Sequence, residues 1–99
     1  MTFGKRSGRC ALCRRTAHLT FHHLIPRKLH RRTRFRKLHD KRELARGIEV
    51  CQLCHRALHR LHDEMTLGTE LATLERLRAD PKVARHVAWA RKQNRGVVS

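Results

Sequence analysis

The stretch that decides the fold is residues 47–59, GIEVCQLCHRALH, in which a cysteine pair directly precedes two histidines. A second pair, Cys10 and Cys13, lies upstream with the same two-residue spacing. Two residues between thiolates let one turn present both sulfurs to a tetrahedral ion. The pairs therefore predict one four-cysteine zinc site that uses every cysteine of the chain, namely Cys10, Cys13, Cys51 and Cys54.

A structural zinc would compensate for a small core, because only 4% of the 99 residues are aromatic. Residues 1–20 lack the apolar region of a secretion signal, and no stretch reaches the roughly 20 apolar residues of a membrane span. We therefore expect a cytoplasmic protein, without a membrane partner, whose thiolates bind metal rather than form disulfides. A redox-active C-x-x-C is the alternative, although it leaves the second pair unexplained.

Basic residues dominate the composition. The chain carries 24 Lys and Arg against 8 Asp and Glu, a formal net charge of +16. Ten of these cations lie within residues 27–46, where only Asp40 and Glu43 oppose them. Such a stripe neutralises backbone phosphates and releases their counterions, which favours a nucleic acid as partner. A solvated basic face, or contact with an acidic membrane, is the alternative.

A short strand is predicted before the basic stretch. Residues 19–25, LTFHHLI, are apolar and compatible with β-structure, and they end at Pro26. The side chains of Leu19, Phe21 and Ile25 would share one face of this strand. The basic residues that follow are too polar to form a core element and are expected to begin as a loop or irregular arm.

A helix and a second strand are predicted after that arm. Asp40 is a suitable N-cap for a short helix over residues 41–46, which Gly47 would close in a left-handed conformation. Residues 48–50 would then form the second strand. This second strand would lead directly into the second cysteine pair.

Helices are predicted for the remainder of the chain. Residues 55–64 and 70–79 carry apolar side chains at helical spacing, with a break between them. Asp80 followed by Pro81 is a strong signal for the start of a further helix. Residues 1–9 are basic and glycine-bearing, and we expect a flexible arm there.

Two close pairs of histidines indicate a second metal site. His55 and His59 are four residues apart, so both imidazoles lie on one helical face within reach of one divalent ion. The adjacent His22 and His23 could supply one further ligand and one general base. Because neighbours on a regular strand point to opposite faces, both serve one site only at a strand end or bulge.

These residues resemble a known family. The segment from Cys10 to His59, about half of the chain, is similar to an HNH endonuclease of the ββα-metal fold, in the subgroup with two C-x-x-C zinc knuckles. The resemblance rests on LTFHHLIP at residues 19–26 and GIEVCQLCHRALH at residues 47–59. It implies a small α+β domain with a ββα-metal (HNH) core, a structural zinc site of four cysteines and short C-terminal helices.

The resemblance also implies a domain plan and a reaction. One HNH nuclease domain would span residues 1–99, with the arm at 1–9, the zinc-stapled core at 10–65 and the C-terminal helices at 66–95. The expected reaction is hydrolysis of phosphodiester bonds in DNA, duplex DNA first. The oligomeric state is left open.

Four histidines take roles by this resemblance. His22, His55 and His59 would bind the catalytic divalent ion, which could be Mg²⁺, Mn²⁺, Ni²⁺ or Zn²⁺, and His23 would be the catalytic general base. One position departs from the family pattern, because Gly47 stands where the family has an asparagine that orients the base. A backbone carbonyl would have to replace that asparagine, or the rate would fall.

Five cations directly follow the HHLIP turn and are expected along the path of DNA phosphates into the site; solubility is the alternative role. These nucleic-acid-binding candidates are Arg27, Lys28, Arg31, Arg32 and Arg34.

The other histidines and the tryptophan are expected to have ordinary structural roles. His62 is a second choice for the ligand place of His59, but a solvated helix position is preferred for it. Trp89 is expected to be buried against a neighbouring helix rather than stacked on a base. The histidines that lack a partner at ligand spacing are assigned to the surface or to phosphate contacts: His18, His30, His39 and His86.

Two other classes of function fit part of the sequence. A non-catalytic zinc module that binds nucleic acid explains the charge and the cysteines, but not the paired histidines. An adaptor that docks its basic stripe on a larger assembly explains the charge alone.

Overall fold

The computed structural model describes residues 6–94 and 97, which form a three-stranded antiparallel sheet with short helices around it. The strands are β1 (Arg6–Arg9), β2 (Thr16–His23) and β3 (Gly47–Cys51), in the order β1-β2-β3. Within these residues, a 3-10 turn at Arg27–Leu29 is followed by six α-helices: α1 (Thr33–Leu38), α2 (Lys41–Leu44), α3 (Gln52–Leu61), α4 (Glu64–Thr69), α5 (Leu74–Ala79) and α6 (Pro81–Ala90). The small α+β class predicted from the sequence is confirmed.

β2 is the central strand, and its register places the functional residues. It pairs with β3 from Leu19, opposite Cys51, to His23, opposite Gly47. β2 begins earlier than predicted and stops at His23, three residues before Pro26. Ile25 therefore lies outside the strand, and Phe21 is exposed, so the predicted apolar face that both would share with Leu19 is not formed.

Residues 6–9 form β1, which corrects the prediction of a flexible arm over residues 1–9; residues 1–5 lie outside the described part. The segment pairs with β2 from Arg6, opposite Leu19, to Arg9, opposite Thr16. Gly8 lets the strand approach closely, since a Cβ there would lie 3.0 Å from Cδ1 of Leu19. Backbone pairing with β2 orders a sequence that has no β-pattern of its own.

The basic stretch is anchored by two buried apolar side chains, which corrects the prediction of an irregular arm. Leu29 of the 3-10 turn and Phe35 of α1 pack with Ile25 in a small second core. The cations around them are exposed. The stretch is thus a short helical layer with its charges directed to solvent.

The predicted N-cap at Asp40 is confirmed, but the predicted role of Gly47 is wrong. Asp40 and Glu43 form a capping box at the start of α2, with bonds of 2.8 and 3.1 Å. The helix ends at Leu44 with Ala45 in a right-handed conformation. Gly47 lies outside the left-handed region and is instead the first residue of β3.

The C-terminal helices start where capping side chains allow. Asp63 accepts a hydrogen bond from the Thr66 amide and begins α4, so the predicted helix over 55–64 is divided after Leu61. Gly68, predicted as a break, lies buried inside α4. The helix predicted from residue 70 begins only at Leu74, capped by Thr73, and Asp80-Pro81 starts α6 as predicted.

The main core lies where the cysteines meet β2, β3, α3 and α6. Cys10, Cys51, Val50, Leu58 and Val83 are each at most 2% exposed and belong to one packed cluster. The cysteine side chains are therefore part of the main core itself. Over the described residues, no helix has the length and apolarity needed to cross a membrane.

Replacement of Gly47 by alanine should destabilise the protein. A Cβ there would lie 2.3 Å from Cζ of Phe21 and 2.4 Å from the carbonyl oxygen of His22, which is backbone and cannot rotate away. We expect Gly47→Ala to lower the free energy of unfolding by about 1–3 kcal/mol in urea titrations. Gly8→Ala is the matched control, because it meets only a side-chain tip; equal stability of the two variants would contradict this prediction.

Candidate metal centres

The four cysteines are gathered as the sequence predicts. Their sulfur atoms all lie within 4.8 Å of one another, and all four residues are buried. Sγ of Cys13 is 3.7 Å from Sγ of Cys51. Thiolates bound to one tetrahedral zinc at about 2.3 Å are about 3.8 Å apart. The cluster of Cys10, Cys13, Cys51 and Cys54 can therefore hold a structural zinc ion.

The first knuckle is a tight turn that aims its amides at sulfur. The amides of Leu12 and Cys13 each lie 3.4 Å from Sγ of Cys10. Arg14 closes the turn with a φ of 69°, a conformation rare for residues other than glycine. The amide of Ala11 bonds the carbonyl of Glu49 at 3.0 Å, which ties the knuckle to β3.

Arg15 links the two knuckles and was missed in the sequence. Its Nε lies 3.4 Å from Sγ of Cys13, and its Nη2 lies 3.5 Å from Sγ of Cys51. Nη1 donates to the carbonyl of Gln93 at 2.8 Å. Hydrogen bonds with the thiols of Cys10 and Cys54, and a further one from Arg15, lower the pKa of Cys51. Among 24 basic residues, nothing local distinguished this arginine.

His22, His55 and His59 form a second group of potential ligands. One ring nitrogen from each lies within 4.8 Å of the others, with ring centroids 5.2–5.4 Å apart. β2 supplies His22, and the first two turns of α3 supply the other two. The predicted one-face placement of His55 and His59 is thus observed, and the antiparallel β2–β3 pair brings His22 to it.

His22 is the most unusual member of this histidine group. It is 1% exposed, and neither of its ring nitrogens has a hydrogen-bond partner among the described residues. Burial, followed by repulsion from His55, His59 and His23, lowers the pKa of His22 to about 3. An unpaired buried polar group costs about 1–3 kcal/mol, which a bound cation would remove. The residues present therefore fit a divalent ion.

Thr20 sets the orientation of His55. Its hydroxyl donates to the carbonyl of Val50 at 3.0 Å and lies 2.8 Å from Nδ1 of His55. Because the single hydroxyl proton is used on Val50, Nδ1 of His55 must be the donor to Thr20. The Nε2 lone pair of His55 is then free for a metal, the arrangement common in metal sites. This role of Thr20 depends on its pairing with Val50 between β2 and β3, which the sequence alone does not show.

His23 lies beside this histidine group but not within it. It is the last residue of β2, the strand end that a shared site requires. Its ring contacts the ring of Phe21 at 4.9 Å and that of His30 at 5.7 Å. Burial, then the charges of His30 and Arg27, lower the pKa of His23. Burial, then His59 and His23, lower the pKa of His55, so His23 is within electrostatic range of the ligand group.

The space beside Gly47 is filled by an aromatic ring. Cζ of Phe21 would lie 2.3 Å from a Cβ at Gly47, so no side chain fits there without displacing the ring. The same ring makes a T-shaped contact with the ring of His23, with the two ring planes at 85°. Contact with Phe21 therefore stands where the sequence led us to expect a polar group or a backbone carbonyl.

His23 opens onto a cationic cleft of about 620 Å³. Asp40, the one acidic residue that lines it within the described part of the chain, is engaged as an N-cap. His30 is fixed there by donation from Nε2 to the carbonyl of Ile25 at 2.7 Å. The basic and imidazole groups that line the cleft are His23, Arg27, His30, Arg36, His39 and Lys41.

The five predicted phosphate contacts are distributed unevenly. Arg27 lines the cleft, whereas Lys28 lies 3.7 Å from Glu64 in an exposed ion pair. Arg31, Arg32 and Arg34 are exposed and do not line it. Arg36 and Lys41 line it but were not singled out in the sequence. The turn geometry of the basic stretch, rather than its composition, decides which cations face the cleft.

Two side chains outside the metal centres differ from expectation. His62 is not solvated, because its Nε2 pairs with the carboxylate of Asp80 at 2.8 Å, and it stays outside the ligand group as predicted. Trp89 is 50% exposed, so the predicted burial is wrong. α6 instead packs through Val83 and Ala90.

Loss of Arg15 should weaken zinc binding. We expect Arg15→Gln to raise the zinc dissociation constant about 10- to 100-fold, because two donors to the thiolates are lost. Competition with a chromogenic chelator measures this without any activity assay. Arg14→Gln, with the same charge change one residue away, is the control, and equal zinc affinity in both variants would rule out the role of Arg15.

Comparison with known proteins gives a relative but no activity. The chain is 33% identical over 88 residues to the uncharacterized protein YisB of Bacillus subtilis (strain 168), an alignment that covers 88% of this chain and 77% of YisB. No protein-family profile matches the chain, and no solved structure matches it. With identity and coverage of this extent, the chain belongs to the family of YisB.

Proposed function

We propose that this protein is a metal-dependent DNA endonuclease of the HNH type, with β2, β3 and α3 as its ββα-metal core. The observation that carries the proposal is the buried, unpartnered imidazole of His22, which meets His55 and His59 beside a further histidine at the strand end. A structural role for His22 alone would leave two buried nitrogens unsatisfied. A cation between three imidazoles would bind the lone-pair nitrogen of His22 and so satisfy one of the two.

His22, His55 and His59 are the residues that would hold the catalytic ion, which is Mg²⁺, Mn²⁺, Ni²⁺ or Zn²⁺ in this proposal. When bound, such an ion supplies positive charge that offsets the negative charge on the phosphate and on the departing 3′ oxygen. Thr20 keeps His55 in the ligand tautomer. The low pKa of His22 keeps its ring neutral, the form that binds metal.

His23 would act as the general base. The neutral imidazole takes a proton from water, the water oxygen attacks phosphorus, and the bond from phosphorus to the 3′ oxygen breaks; the leaving oxygen takes a proton from solvent. Burial, then the charges of His30 and Arg27, lowers the pKa of His23, which favours the neutral form. The T-shaped contact with Phe21 would restrain the ring of His23, the function that the resemblance gives to asparagine.

Duplex DNA is the proposed substrate. The cleft beside His23 carries Arg27, Arg36 and Lys41, whose charges can neutralise phosphates on either side of the bond to be cut. Arg31, Arg32 and Arg34 extend this positive surface outward. Lys28, already paired with Glu64, would contribute least.

Removal of the base should abolish cleavage without disturbing either metal site. We expect His23→Ala to reduce plasmid nicking by about 10²- to 10⁴-fold, with zinc content unchanged. His18→Ala is the control, because His18 is an exposed histidine on the same strand. Full activity of His23→Ala would exclude His23 as the base.

The histidine group should bind a second metal equivalent independently of activity. Calorimetric titration of the zinc-loaded chain with Ni²⁺ should show one site, weakened about 10- to 100-fold by His59→Gln. His59 is exposed, so this variant should fold. His62→Gln, one turn further along the chain, should bind Ni²⁺ like the wild type. Absence of a second equivalent in the wild type would argue against a catalytic ion.

One observation favours a second candidate function. The absence of any side chain at Gly47 fits a non-catalytic zinc module that binds nucleic acid and has lost the orienting asparagine. Tight DNA binding without cleavage in Mg²⁺, Mn²⁺ and Ni²⁺ would establish this candidate over the nuclease.

A further inference from the structure

An exposed tryptophan lies in a basic groove between α3 and α6. Trp89 is 50% exposed on α6, and its ring is 5.7 Å from that of His86. α3 and α6 pack together and enclose a groove of about 480 Å³. Its charged lining residues, over the described chain, are all cations: Arg56, Arg60, Lys82 and Arg85.

The lining chemistry selects the kind of ligand. No acidic side chain lines the groove among the described residues, so a partner with negative charge is favoured. An exposed indole beside several guanidinium groups offers a flat stacking surface within a positive field. Single-stranded nucleic acids use this combination, since their bases stack on aromatic rings while cations follow the backbone.

The groove is continuous with the histidine group. Arg56 and Arg60 line both the groove and a hollow of about 490 Å³ that contains His55 and His59. In a helix each of these arginines follows its histidine by about 100°, so they lie between the two surfaces. A strand with one phosphate at the histidines would pass these arginines on its way to Trp89.

We propose that this groove binds a single-stranded segment of nucleic acid, with one unpaired base stacked on Trp89 and the flanking phosphates on Arg60 and Arg85. A paired base presents only its edge in a groove of the duplex, so stacking requires an unpaired one. The protein then acts at a junction between duplex and single strand. The position of the cut rests on the proposed nuclease function, whereas the binding itself does not.

Trp89 reports on its own occupancy, because it is the single tryptophan and the chain has no tyrosine. The zinc-loaded full chain, without added divalent ion, is titrated with a 12-residue oligothymidylate and with a blunt-ended, loop-free duplex of equal phosphate count. We expect saturable quenching of fluorescence by the single strand and little by the duplex. Equal quenching by both, or none, would overturn the proposal.

Variants test the contacts separately by anisotropy of a labelled oligothymidylate. Trp89→Ala should weaken binding about 5- to 100-fold, and Trp89→Phe should retain most of it. Arg60→Gln and Arg85→Gln should each reduce the salt dependence by about one ion, more than Arg76→Gln on α5, which is outside the groove. Trp89→Ala binding within twofold of wild type would refute the stacking.

Two further results distinguish base stacking on Trp89 from self-association of the chain and from cleavage. A blue shift that grows with protein concentration in the absence of nucleic acid would show that a second copy of the chain covers Trp89, and would overturn the proposal. Plasmid nicking, measured in parallel, tests the nuclease alone. Quenching without nicking would support single-strand binding in the groove and exclude the nuclease. Nicking without quenching would support the nuclease and exclude single-strand binding in the groove.

Discussion

The sulfur cluster is the constraint on which the rest of the molecule depends. Cys51 ends β3 and Cys54 lies in the first turn of α3, so an ion bound to both fixes the angle between strand and helix. The knuckle at Cys10 and Cys13 joins the same point to the turn between β1 and β2. His55 follows Cys54 directly, and its ring is therefore positioned by the zinc ligands. A chain with few aromatic residues would gain rigidity here from a bound zinc ion rather than from apolar area.

Charge is distributed so that this small centre is not destabilised by the excess of cations. Four thiolates on a bound zinc ion would concentrate negative charge in the core, and Arg15 lies where the sulfurs of Cys13 and Cys51 can accept its hydrogen bonds. Burial, then repulsion from neighbouring histidines, lowers the pKa of His22 and of His55. Seven other cations line the cleft beside His23 or the groove between α3 and α6. The proposed polyanion binding and metal binding would therefore use different parts of the same charge distribution.

Features fixed by local spacing could be predicted from the sequence, whereas those fixed by register could not. The four-cysteine cluster, the His55 and His59 face and the start of α6 at Asp80 follow from residue intervals and caps. β1 depends on an edge offered by β2, and the role of Thr20 depends on which residue lies opposite it. The exposure of Trp89 follows from α6 packing through Val83 and Ala90, a choice between two helix faces that the sequence leaves open.

The contact between Gly47 and Phe21 shows how strand register changes the interpretation of a residue that the sequence had singled out. Taken alone, a glycine where the HNH resemblance has an asparagine would indicate a lost function. In the structure, the absent side chain is what allows the ring of Phe21 to cross from β2 onto β3 and contact the ring of His23. An aromatic ring restrains a neighbouring imidazole by shape, without fixing its tautomer by a hydrogen bond. His23 would then be held in place but free to present either nitrogen, which is compatible with a base that must both accept and release a proton.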